Sequence, residues 1–347
     1  MKILVSFFIA AVLSLSFCSC GNDQAVDINN SKEDPFESNV SLEESSEGLE
    51  KEISCESSEE SQNAIESEAA TGVFADSKFQ SYEVLNYVAL GDSIARGYGL
   101  KDPVSGCYPA LLSKALSKVL PNTSVNYTNY AVDGLTTEGL IRLLSDGCEN
   151  VDGADLITVS IGANNLLGPF ISVAEKHMAE FVTSPDDITE ESLSSSTVIN
   201  SLKAIQEELE SDAFAAVMQN GIAKLDTELD GIINELKRRS PHAVIVVMTV
   251  YSPYHGIDLS LPYLGLSFDL GSLSDKWVSE LDVEIRRIVE ENECILVETY
   301  DSFETMGGLV NASLSLLPLN VSFDPHPNQK GHALLSNLHM NVISAIK

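Results

Sequence analysis

The chain is short of basic residues: 20 Lys and Arg stand against 52 Asp and Glu, for a formal net charge of -32. Nucleic-acid binding needs basic patches to neutralise phosphate, so that class of partner is excluded. Cysteine is scarce as well. Six residues scattered through 347 exclude a small scaffold held by disulfides. The apolar run near the N-terminus, Ile3 to Phe17, falls short of the roughly 20 residues that a membrane-spanning helix needs. Internal repeats are absent, as are a glycine-rich phosphate loop and any His/Cys/Asp set with metal-ligand spacing, so neither cofactor nor metal is expected.

What the N-terminus does have is Lys2, the apolar run, and then Cys18-Ser19-Cys20-Gly21. This order matches an export signal over residues 1–20. Small Ser19 before Cys20 resembles a bacterial lipoprotein processing site, in which Cys20 is lipidated and becomes the mature N-terminus. Bulky Phe17 makes Cys18 the poorer candidate, and simple secretion is the alternative. Residues 21–81 are rich in Ser and Glu and poor in aromatics, as in Glu56-Ser57-Ser58-Glu59-Glu60. Such a segment cannot bury enough apolar surface to offset its ordering entropy, so it reads as a disordered acidic spacer. Behind a lipidated cysteine it would hold a folded domain away from the membrane, on the extracytoplasmic side. It also carries a good part of the negative charge.

Residues 82–347 are long enough for one sizeable α/β domain. Apolar runs of strand length occur at Tyr87 to Leu90, Val125 to Ala131, Leu156 to Ile161, Val244 to Val250 and Ile295 to Glu298. Helical stretches separate them: Tyr108 to Leu120, Thr136 to Ser145, Ser194 to Arg239 and Leu273 to Glu291, with a last one from Asn328 to Ile346. This alternation predicts a parallel sheet covered on both faces. Ligands of such sheets bind beyond the carboxyl ends of the strands. Of the domain cysteines, Cys107 and Cys148 lie in polar loops flanked by glycine and are the expected disulfide pair; a bridge to Cys55 is the alternative, and Cys294 is expected to be buried.

Three strand ends carry chemistry: Gly91-Asp92-Ser93, Asp133-Gly134 and Gly162-Ala163-Asn164-Asn165. Near the C-terminus Asp324-Pro325-His326-Pro327-Asn328 offers an imidazole beside a carboxylate. A neutral serine needs a base within hydrogen-bond reach and a group that orients the base. Acyl transfer also builds charge on the former carbonyl oxygen, which preorganised donors must meet. The backbone N–H groups of Ser93 and Gly134 with the Asn164 amide would form such an oxyanion hole.

These four blocks, in this order, resemble the SGNH, or GDSL, hydrolase family across the whole domain. The resemblance implies a flavodoxin-like three-layer α/β/α sandwich with a mainly parallel five-stranded sheet, and metal-independent hydrolysis of esters, among them lipids, acetylated sugars and thioesters. It implies Ser93 as nucleophile, His326 as base, and Ser93, Gly134 and Asn164 as the oxyanion hole. The chain departs from the pattern at two places. Many relatives have an acid three residues before the histidine, where this chain has Phe323; Asp324 stands two before, a spacing that tends to point side chains apart, and Pro325 holds it extended. Asp324 is the expected acid, with a backbone carbonyl as the alternative. Asn165 stands where relatives often have Asp.

Taken singly, each block is ordinary: Gly-Asp-Ser is a common turn and His-Pro a common loop. Asp92 is expected to anchor its turn through backbone hydrogen bonds, with Asp133 shaping the second loop in the same way. His332 is expected to pack as a helix residue, and His177, His242, His255 and His339 to be surface or satisfied polar groups. The region from Leu166 to Gly221 combines Phe170, Ile171, Val173, Phe181, Phe214, Val217 and Met218 with Ser-rich turns. It either shapes a substrate pocket or simply packs on the sheet. Tyr251 and Tyr254 are expected at the pocket rim, and Gly256 to Gly271 as a partly apolar flap. The expected activity is therefore a serine esterase or lipase; the alternatives are a carbohydrate O-acetyl esterase and, from another class, a surface binding module that has lost activity. Oligomeric state is left open.

Overall fold

The computed structural model describes residues 77–178, 196–258, 260, 267–316, 319–322 and 324–347. The export signal, Cys20, Cys55 and nearly all of the spacer lie outside the described residues. Residues 77–81, assigned above to the spacer, belong to the domain, because Phe79 is fully buried in its core. Among the described residues no helix is long and apolar enough to cross a membrane.

Five strands form the central sheet: β1 (Val84–Gly91), β2 (Ser124–Asn129), β3 (Leu156–Ser160), β4 (Val244–Met248) and β5 (Ile295–Val297). Their order is β2-β1-β3-β4-β5 and every pairing is parallel, so the chain reverses direction across the sheet between β1 and β3. β3 and β4 are buried along their whole length, as strands covered on both faces must be. All five lie where the apolar runs place them.

Helices cover both faces. In chain order these are α1 (Tyr108–Val119), α2 (Thr137–Asp146), α3 (Ala163–Met178), α4 (Ser196–Leu209), α5 (Asp212–Arg239), α6 (Leu270–Glu291), α7 (Tyr300–Met306) and α8 (Gln329–Ser344). One apolar core unites α2, α3, α5 and α6 with residues such as Leu90, Val159 and Val247; the other unites α1, α7 and α8 with Leu85, Tyr87 and Val246. Alternate strand residues thus feed opposite layers, as the period of two dictates. A short hairpin, β6 (Ser313–Leu316) with β7 (Leu319–Ser322), precedes the segment carrying His326.

The expected disulfide between Cys107 and Cys148 is not formed, and Cys107, Cys148 and Cys294 are free thiols. The sheet stands between the first two. Cys148 packs in the core of α2 and α5, while the Cys107 sulfur lies 3.8 Å from Tyr127 Oη, whose ring packs with the opposite core. Burial pushes the Cys148 thiol up to about 11, which marks it as an inert core residue. Cys294 is half-buried rather than buried.

Candidate active site

The switch between β1 and β3 leaves a crevice at the carboxyl ends of those strands, and the site lies there. β1 ends on Gly91 at φ +152, where a Cβ would sit 2.3 Å from the Ser160 carbonyl oxygen of β3. Only glycine permits that approach. The next amide, Asp92 N–H, donates to the same carbonyl at 3.1 Å. Asp92 then caps a single helical turn, Ser93–Arg96, with its Oδ1 accepting from Ile94 N–H at 3.0 Å. Asp92 thus anchors the turn as expected, and Ser93 is held at its first position.

Ser93 Oγ lies 2.8 Å from His326 Nε2, and His326 Nδ1 lies 2.5 Å from Asp324 Oδ1. The two-residue spacing does not separate the last pair. Asp324 folds back in an Asx turn, so that the same Oδ1 accepts from the backbone N–H of His326 at 3.1 Å, and this brings the carboxylate to the ring. Its other oxygen accepts from Asn311 Nδ2 at 2.9 Å. Burial alone would raise the Asp324 pKa, but the hydrogen bond and charge of His326 outweigh it and hold the carboxyl below its usual value. Ionised Asp324 is an acceptor only, which puts a proton on Nδ1 and leaves Nε2 to accept from Ser93.

The imidazole is fixed from several sides. Tyr98 packs on it with ring centroids 4.5 Å apart, and Tyr251 Oη donates to the preceding Pro325 carbonyl at 2.8 Å. The His326 carbonyl accepts from Asn311 N–H at 2.9 Å, and Asn328 caps α8 through Lys330 and Gly331. Ser93 and His326 are 5% and 4% exposed.

The loops after β2 and β3 meet the serine turn. Asp133 pairs with Arg96 of that turn at 2.5 Å, and Asn164 Nδ2 donates to the Leu135 carbonyl at 3.1 Å. Gly134, at φ +73, sits between these two ties. No described residue accepts from the backbone N–H of Ser93 or of Gly134. Asn164 Nδ2 also stands 3.4 Å from Asp92 Oδ2, a long contact. Asn165 serves the scaffold instead: its side chain bonds both the backbone N–H and the hydroxyl of Thr137, at 3.2 and 2.7 Å. Burial drives the Asp92 pKa up to about 7, against the lowering pull of the Ile94 amide and of His326.

Of the remaining histidines His242 is exposed, and three others have structural surroundings. His332 is fully buried, accepts from Tyr108 N–H at 3.2 Å, and is pushed down to about 4 by burial. His339 is buried too, donates to the Leu335 carbonyl at 2.7 Å and stacks on Tyr108. His177 pairs with Glu208 at 2.5 Å. The fold does gather one set that spacing did not show: His255, Asp275 and Glu304 bring ligand-type atoms within 4.8 Å of one another. They come from a loop, α6 and α7, so no sequence interval links them; His255 is exposed, and Asp275 and Glu304, at 2.8 and 3.4 Å from its Nδ1, are half-buried.

A cavity of about 100 Å³ opens at Ser93, Asn164 and His326. Phe170, Phe214 and Met218 of the Leu166–Gly221 region line it, as do Tyr251, Tyr254 and Leu270. Ile171 and Val173 are core residues and Val217 is exposed, while Phe181 and residues 261–266 lie outside the described residues.

The profile of the GDSL-like lipase/acylhydrolase family matches residues 89–334, which span all four blocks. The chain belongs to this family. A GDSL-like hydrolase acts on ester bonds, and the five-stranded parallel sheet with flanking helices is the SGNH hydrolase fold. No curated protein sequence matches this family member. Among solved structures it is similar to an extracellular lipase of Streptomyces rimosus, at 18% identity over 75% of this chain and 99% of that one, with a TM-score of 0.46. A phospholipase A1 of Streptomyces albidoflavus shares 17% identity over 75% and 98% of the two chains, TM-score 0.46. An acetylxylan esterase of Geobacillus stearothermophilus shares 16% over 78% and 99%, TM-score 0.44.

Proposed function

We propose that this GDSL-like hydrolase cleaves carboxylic esters through an acyl-enzyme. Ionised Asp324 holds the proton on Nδ1 of His326, so Nε2 faces Ser93 as a base. As Ser93 Oγ attacks the ester carbonyl, its proton passes to Nε2, and the resulting imidazolium gives it to the departing alcohol. Negative charge collects on the carbonyl oxygen. In this proposal the backbone N–H groups of Ser93 and Gly134 receive it together with the second N–H of the Asn164 amide, whose first donates to the Leu135 carbonyl. Water, activated by His326, then releases the acid and restores Ser93.

The observation that carries this reading is the relay from Ser93 Oγ to His326 Nε2 at 2.8 Å and from Nδ1 to Asp324 at 2.5 Å. Turnover of p-nitrophenyl butyrate by Ser93→Ala tests it. A correctly folded variant should lose at least about 10³-fold in kcat; turnover equal to that of the unaltered enzyme refutes the assignment. Attachment of the domain to the extracytoplasmic face of the membrane through lipid on Cys20 is part of the same proposal. Cys20→Ser should move the protein from the membrane fraction to the soluble one, and an unchanged distribution would count against the anchor.

A further inference from the structure

The wall beyond Ser93 is built almost wholly of carbon. Three helices on one face of the sheet, α3, α5 and α6, supply Phe170, Phe214, Met218 and Trp277, and the loop after β4 supplies Tyr251 and Tyr254. Ile94, next to the nucleophile, and Ala163, next to Asn164, line it, as do Pro325 and His326. The cavity therefore adjoins Ser93, to which the acyl carbon stays bonded throughout the intermediate.

On the wall Tyr251 and Ser274 are already engaged, whereas the buried Nε1–H of Trp277 has no partner among the described residues. Tyr251 Oη donates to the Pro325 carbonyl at 2.8 Å, and the Ser252 and Ser274 hydroxyls bond each other at 2.9 Å. A sugar placed here would meet that one indole donor and leave its other hydroxyls unpaired, a poor exchange for water. An alkyl chain has nothing to satisfy. Size points the same way: where roughly 10–15 Å³ of such space holds one water-sized group, a cavity of about 100 Å³ exceeds what one acetyl methyl fills.

Resting on the acyl-enzyme reading above, we propose that this cavity holds the acyl chain, that the substrates are aliphatic acyl esters several methylenes longer than acetate, and that Trp277 limits the chain length. Each methylene that enters should raise kcat/KM about fourfold until the cavity is filled. Acetate to hexanoate adds four methylenes, so the gain there is roughly 200-fold.

The test is kcat/KM on p-nitrophenyl acetate, hexanoate, decanoate and palmitate, kept below micelle-forming concentrations, with Ser93→Ala as control. The proposal expects a steep rise from acetate followed by a plateau or fall. Trp277→Ala should move that break to longer chains. Because Trp277 is a core residue, Leu167→Trp provides a second variant: Leu167 lines the cavity yet is only half-buried, and the added ring should lower the hexanoate-to-acetate ratio at least tenfold. A flat or acetate-favouring profile with an inactive Ser93→Ala overturns the acyl-pocket proposal and leaves the catalytic reading standing. Full turnover by Ser93→Ala overturns the reading beneath it.

Discussion

Asp324 is the residue whose role the sequence left open, and Asp324→Asn isolates it. An Asn in its place still offers a side-chain oxygen to the His326 backbone N–H, so the Asx turn that places the ring is kept; only the charge goes. That charge matters when His326 holds the Ser93 proton. Two unit charges about 4 Å apart attract by about 4 kcal/mol at an effective dielectric of about 20. The Asp324 side chain is 32% exposed, so water screens part of this, and about 3 kcal/mol is a fair upper figure. Loss of the acceptor that fixes the Nδ1–H tautomer adds to it. The expected outcome is a fall in kcat of about 10²-fold to 10³-fold on p-nitrophenyl butyrate, with KM within about threefold. Stopped-flow measurement should place the loss in acylation, and a thermal melt should show the fold intact. If Asp324→Asn keeps more than about a third of kcat, a group other than this carboxylate orients His326, and the relay drawn here is wrong.

Three further outcomes follow from the same geometry. Asn164→Ala removes one oxyanion donor and should cost about 10² to 10³ in kcat with little change in KM, read from initial rates; a loss under threefold would remove Asn164 from the hole. Asp92 has a folded-state pKa of about 7 against 3.8 unfolded, so folding takes up a proton between those values and wild-type stability falls as pH rises from about 4 to about 7. Asp92→Asn is free of that penalty, so its stability relative to wild type in urea melts should rise over this window by at most about 4 kcal/mol and stay level above it; a difference independent of pH contradicts the burial argument. Gly91→Ala drives a Cβ against the Ser160 carbonyl, 2.3 Å away, and should lower the melting temperature and displace Ser93, with loss of both stability and ester turnover; wild-type activity and melting would refute the close approach.

Much of the fold was legible because strands buried on both faces read as continuous apolar runs, as β3 and β4 do, although β2 is only partly buried and is interrupted by Asn126, Thr128 and Asn129. The helix that follows Asn164 was not. α3 begins the region left as either pocket-shaping or packed on the sheet, and Pro169 in its interior, a residue that ordinarily breaks helices, masks its helical period. The β6–β7 hairpin was missed too, since short strands outside the main sheet carry too few residues for a periodic signal. At the site, Ser93 and His326 were singled out by the four blocks in their order rather than by either block alone. The reach of Asp324 was not, because sequence spacing was weighed as for a helix, whereas an Asx turn brings residues two apart into contact. The disulfide expectation failed for a similar reason: loop composition says nothing of which side of a sheet a cysteine occupies.

The central claim is that His326 and Asp324 make Ser93, and no other serine, a nucleophile. Fluorophosphonate labelling of the intact protein, followed by peptide mass mapping, tests it most directly. One label per chain on Ser93, lost in Ser93→Ala and reduced at least about a hundredfold in rate in His326→Ala, is the predicted result. No label on Ser93 at any pH from 6 to 9, or equal labelling without His326, would contradict it.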